Sequence, residues 1–192
     1  MIWLILGLLL FLGMHSAQMA FAGVRTNFIE KRGDSAWKGF YSLTSIVGLV
    51  LLIWGYGQAR VSDWNLFFYA TPSWSPHVVA PLVWLALILV MASQFPAGRI
   101  KAAVKHPMIL GVKIWAFAHL LANGDLASYL LFGAFLAWAI WNRINLKHRG
   151  DPNYGTVAIQ YDVISAVVGT ILFAVLFAWG HIYLFGVSPW PV

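Results

Sequence analysis

Apart from Lys113, the charged residues of this chain crowd into the gaps between long apolar runs, and that spacing constrains the fold more than any single motif. The runs lie at about Met1 to Phe21, Gly39 to Tyr56, His77 to Phe95, Met108 to Ala122, Leu126 to Trp141 and Val163 to Phe185. A hydrocarbon core about 30 Å thick takes roughly 20 helical residues to cross, and a backbone inside it must satisfy its own hydrogen bonds, so the runs read as transmembrane helices. A composition of 61% hydrophobic and 9% charged residues, with a mean hydropathy of +0.77, cannot clothe a soluble globule. The expected fold is an all-α integral membrane protein, one domain over residues 1–192, built as a single bundle of six helices in the lipid bilayer. Eleven Trp fit aromatic belts at its two interfaces. The first run lacks a basic leader and a small-residue cleavage site, so it is expected to stay as helix one.

The gaps set topology. Loop one, Gly23 to Lys38, carries Arg25, Lys31, Arg32 and Lys38; loop two carries Arg60; loop three carries Arg99, Lys101 and Lys105; loop four, Asn123 to Asp125, carries no Lys or Arg; loop five carries Arg143, Lys147 and Arg149. The positive-inside rule then puts the odd loops in the cytoplasm and both termini on the outer, periplasmic side. Because the cations are spread over loops, the net charge of +6 marks topology and gives no reason to invoke nucleic acid. Loop two holds Trp64, Phe67, Phe68, Tyr69 and Trp74 with two prolines, the make-up of an interfacial lid. In loop three the cations repeat at i+2 and i+4, as in a segment lying in the headgroups, and His106-Pro107 separates it from helix four.

Inventory excludes several chemistries. Cysteine is absent, which removes disulfides, Fe–S clusters and thiolate ligands. Glu30 is the only glutamate and the pattern buries no Asp, so paired-carboxylate catalysis has no parts. No G-x-S-x-G, H-E-x-x-H or phosphate-cradling glycine loop occurs. Histidine with a cofactor is what remains.

His15 and His119 fall inside apolar runs. Counted from the cytoplasmic ends of their helices, His15 is about seven residues deep and His119 about eleven, a difference of about 6 Å. Two imidazoles at matched depth suit one metal between them; the alternative is that each bonds a carbonyl or serine and joins helices. Trp115, four residues before His119, walls a flat cofactor or packs the core. Lys113 either snorkels to the headgroups or joins Arg99, Lys101, Lys105 and Arg25 in a cationic rim for carboxylates. His106 meets a headgroup, a propionate or a substrate anion, or caps the break. His77 and His181 belong to the outer interface, and His148 is solvated.

The runs LGLLLFLGMHSAQ, YSLTSIVGLVLLIWGYGQAR and GRIKAAVKHPMILGVKIWAFAHLLANG resemble the NnrU family of bacterial membrane proteins, and the likeness extends over nearly the whole chain. That family is associated with nitrite and nitric oxide reduction and is similar to 15-cis-zeta-carotene isomerase. The resemblance implies a multi-pass protein of the bacterial inner membrane with a haem b on two histidines, His15 in HSA and His119 in FAH. It further implies redox-gated isomerisation or redox chemistry on a lipophilic polyene or small gas. Its alternative implication is a non-enzymatic factor that supports the assembly or activity of nitrite and nitric oxide reductases as partners.

Overall fold

The computed structural model describes residues 1–190, which are helical but for short connections. Two compact units emerge, Met1–Phe67 with Asp125–Ala134, and Phe68–Gly124 with Phe135–Val192.

In the first unit, α1 (Ile2–His15) lies antiparallel on α4 (Asp34–Arg60). Glycine sets their spacing: a Cβ on Gly55 would stand 2.5 Å from the Leu4 amide nitrogen, one on Gly7 2.6 Å from that of Leu52, and one on Gly48 2.8 Å from that of Phe11. Small residues let backbones approach where lipid offers no hydrophobic drive for association. The facing numbers 4 and 55, 7 and 52, and 11 and 48 all add to 59, so His15 falls level with Thr44. Between these helices run α2 (Ala17–Ala20) and α3 (Ala22–Arg32), the latter laying Phe28 against Trp37 and Phe40 at centroid distances of 5.5 and 5.8 Å.

At the other end of this unit, Asp125 caps α8 (Leu126–His148): its carboxylate accepts the Ser128 amide at 3.1 Å and the Ser128 hydroxyl at 2.7 Å. The Ala127 amide donates to the Asn65 side chain at 2.9 Å and the Leu126 amide to the Leu66 carbonyl at 2.9 Å. All the orphan donors of that helix start are thereby answered.

In the second unit, α5 (Ser75–Gln94) packs against both α7 (Pro107–Ala122) and α9 (Ile159–Val175). Glycine again permits the approach, Gly111 facing the Ala86 carbonyl and Gly169 the Ile88 backbone, while Trp84 donates to Thr170 at 2.8 Å. The short α6 (Arg99–Val104) starts on Asp162, whose carboxylate takes the Arg99 and Ile100 amides at 2.8 and 3.0 Å. A π-helical turn, Leu176–Gly180, links α9 to α10 (His181–Phe185).

Three helical stretches are long and apolar enough to cross a membrane, Asp34–Arg60, Ser75–Gln94 and Ile159–Phe185. Little of their apolar surface is fully buried: 17, 28 and 11% of their most apolar windows, in that order. That surface needs a hydrocarbon solvent, so the chain is a membrane protein with several apolar helices. The apolar helices α1 and α7 are shorter, 14 and 16 residues.

Several expected boundaries move. Loop one is helix over most of its length, broken at Gly33, whose φ of +86° suits a residue without Cβ. Hydropathy marks where lipid ends, not where a helix ends. The fifth helix continues past Trp141 to His148 because no Gly or Pro intervenes before Gly150, so Arg143, Lys147 and His148 sit on helix rather than loop. The sixth begins at Ile159. The first stops at His15 instead of running to Phe21: the His15 ring and the Ser16 hydroxyl bond back to the Phe11 and Leu12 carbonyls, at 2.7 Å each, which bends a helix. Loop two is less a lid than a clasp. Its Leu66 pairs with Leu126 in the first unit, and in the second Tyr69 and Thr71 donate to the Leu120 and Ala122 carbonyls that end α7.

Candidate functional site

In the first unit His15 closes α1, half-buried. Its Nδ1 lies 2.7 Å from the Phe11 carbonyl, which can only accept, so Nδ1 carries the proton and the neutral ring keeps its lone pair on Nε2. Phe11 stacks on the imidazole at 4.2 Å and Tyr41 approaches it at 5.4 Å, so two aromatic rings flank it.

His119 repeats the arrangement in the second unit. Its Nδ1 donates to the Trp115 carbonyl at 2.9 Å, four residues back, and the Trp115 ring lies 5.2 Å away, itself edge-on to Phe135 at 5.4 Å. Asn123 donates to the His119 carbonyl at 2.8 Å and closes the helix end. An imidazole whose distal N–H is held by a carbonyl has a fixed tautomer and a more basic donor nitrogen, which is how metal-ligating histidines are commonly presented. His181 also donates Nδ1–H, to the Val187 carbonyl at 2.8 Å, and His77 sits edge-on to Trp190 at 4.8 Å.

The family described as NnrU protein matches residues 3–189, nearly the whole chain. This is an NnrU family protein. No curated protein and no solved structure matches it.

The other residues singled out in this NnrU chain are divided between the units, Arg25 in the first and Arg99, Lys101, Lys105 and Lys113 in the second. Lys101 is already committed, its ammonium held by the Ser93 and Phe95 carbonyls at 2.9 and 2.8 Å and lying over the Tyr154 ring at 5.9 Å. Arg99 offers its backbone to Asp162. Lys113 is half-buried, six residues past Pro107 and within electrostatic reach of Arg143.

His106 faces a carboxylate rather than standing open: its Nε2 lies 3.2 Å from Asp151, which also takes both ends of the Arg143 guanidinium at 2.8 and 3.0 Å. The two hydrogen bonds from Arg143 hold the Asp151 carboxyl below the usual aspartate range, with His106 adding to the effect. Tyr154, pushed up by burial, donates its hydroxyl to the Lys105 carbonyl at 2.8 Å. Lys105 has φ +63°, a costly conformation for a residue with a Cβ. The segment carrying Asp151 and Tyr154 thus straps down the elbow between α6 and α7.

Asp125 was missed by the pattern reading. It is 5% exposed, and its carboxylate ends a chain of donors, Tyr56 hydroxyl to Ser128 at 2.8 Å and Ser128 to Asp125. The signal was present: Asp followed three residues on by a polar partner, immediately before an apolar run, is a helix start. Among the described residues, no three His, Asp or Glu side chains gather as a protein-only metal site. Haem asks less of the chain, because the macrocycle supplies four ligands and the protein only the axial ones.

Proposed function

We propose that this NnrU protein is a six-helix, multi-pass protein of the bacterial inner membrane that binds haem b through His15 and His119. One observation carries the reading: both imidazoles hold their Nδ1 proton on the carbonyl four residues back, which leaves Nε2 as the donor atom in each. When bound, haem would supply one-electron redox chemistry. The chain's own part is to fix the ligands. The Phe11 and Trp115 carbonyls stop each ring from rotating, and the Phe11, Tyr41 and Trp115 rings keep water from it. Lys113 is a cation that would meet a propionate, His106 being turned to Asp151.

The reaction proposed for such a site is isomerisation or redox conversion of a lipophilic polyene or small gas, the substrate reaching it from the bilayer. The test is spectroscopic. Protein purified from haem-replete cells should carry a Soret band that weakens or shifts in His15→Ala and in His119→Ala. A colourless wild-type preparation would count against the proposal and favour the non-enzymatic reading, in which the protein supports nitrite and nitric oxide reductases; the double variant would then still restore reductase activity in cells.

A further inference from the structure

The first unit contains a cleft that shares only Tyr41 with the haem reading. Arg25 from α3 and Asp34, Trp37, Lys38, Tyr41 and Ser42 from α4 enclose about 200 Å³. That is the space of roughly six or seven waters at about 30 Å³ each, and less than the about 300 Å³ at which pockets begin to swallow a whole drug-sized ligand. It is of a size for a headgroup. The electrostatics select its sign. Lys38 is matched by Asp34 at 2.7 Å, one turn away on the same helix. Arg25, half-buried, forms no ion pair among the described residues, so the cleft keeps one uncompensated positive charge.

Its mouth is amphiphilic. Ser42 lies at the edge, and Ile46, Leu49 and Ile53 follow it at helical spacing along α4, all three exposed. A hydroxyl and a guanidinium therefore stand at the head of an apolar stripe long enough for the start of an acyl chain, with Trp37 and Tyr41 where interfacial rings belong.

We propose that this cleft binds the phosphate headgroup of an anionic phospholipid, whose acyl chain runs along Ile46, Leu49 and Ile53. Arg25 supplies the paired N–H donors that phosphate prefers, Ser42 a further donor, and the Lys38–Asp34 pair closes the side. Tyr41 is shared with His15, its ring 5.4 Å away, so the lipid seat adjoins one histidine without depending on haem.

Native mass spectrometry of the full detergent-purified chain, exchanged with phosphatidylglycerol or phosphatidylcholine, tests this. Wild type should retain one phosphatidylglycerol in preference to phosphatidylcholine. Arg25→Gln should lower that retention roughly fivefold, the effect of about one cation on an anionic headgroup. Lys31→Gln, on the exposed side of α3, should leave it unchanged, and Arg25→Lys should keep most of it. If Arg25→Gln is not recovered folded, Ser42→Trp, which fills the mouth, carries the same expectation. Equal retention of the two lipids overturns the proposal, as does an equal loss in Lys31→Gln. So does a loss of haem absorbance in Arg25→Gln with phosphatidylglycerol retention intact, which would give the cleft to a propionate.

Discussion

Asp125 shows what a single buried carboxylate does here. It is held by two local donors, the Ser128 amide and hydroxyl, while Tyr56 donates to Ser128 behind it. Asp125→Ala removes the cap and strands the Ser128 hydroxyl, so a loss of about 1–2 kcal/mol is expected in reversible unfolding of the detergent-solubilised protein. A change below a few tenths would mean that water replaces the cap. Gly98→Ala belongs to the same scale: its methyl would overlap the Asp162 carboxylate that caps α6, so the α6 amides should exchange faster with deuterated solvent. Neither residue draws notice in a hydropathy profile, because a cap is a matter of two or three atoms at a helix end. His15 and His119 were legible for the opposite reason: an ionisable side chain inside an apolar run stands out at once.

The helices were legible as apolar runs, whereas what joins them was not. Gly7, Gly48 and Gly55 fit a membrane helix equally well as neutral filler, and only the packed pair reveals that each one faces a backbone. Gly55→Val should push α1 off α4 and cost about 1–3 kcal/mol by overpacking, read as a lower unfolding midpoint. The same substitution at Gly133, where an added Cβ meets nothing within 4 Å, should cost less. The strap over the α6–α7 elbow makes a pH prediction. The Asp151 carboxyl is depressed in the folded protein by Arg143 and His106, so its contribution is present above the unfolded aspartate value of about 3.9 and disappears as pH falls through the lower folded value. Protection of residues 149–158 from deuterium exchange, relative to the intrinsic rate at each pH, should therefore be constant from pH 5 to 8 and fall only in strong acid; Asp151→Asn should lower it throughout. That strap was invisible in sequence, since it joins an Asp and a His 45 positions apart through neither periodicity nor motif.

For the molecule as a whole, charge placement is the informative pattern. Between the successive apolar runs Lys and Arg number four, one, three, none and three, and the topology proposed from that pattern puts both termini on the outer face. A fluorescent protein fused to the C-terminus should be dark, and alkaline phosphatase at the same point active; the reverse pair would invert the topology. Family membership follows from a match over residues 3–189, and the proposal of haem binding rests on two histidines with one shared hydrogen-bonding habit. Electron paramagnetic resonance of the oxidised, purified protein tests that ligation most directly. Two imidazoles on one haem should give a low-spin signal in wild type and convert it to high-spin in both His15→Ala and His119→Ala. A signal unchanged in either variant would contradict bis-histidine ligation by this pair.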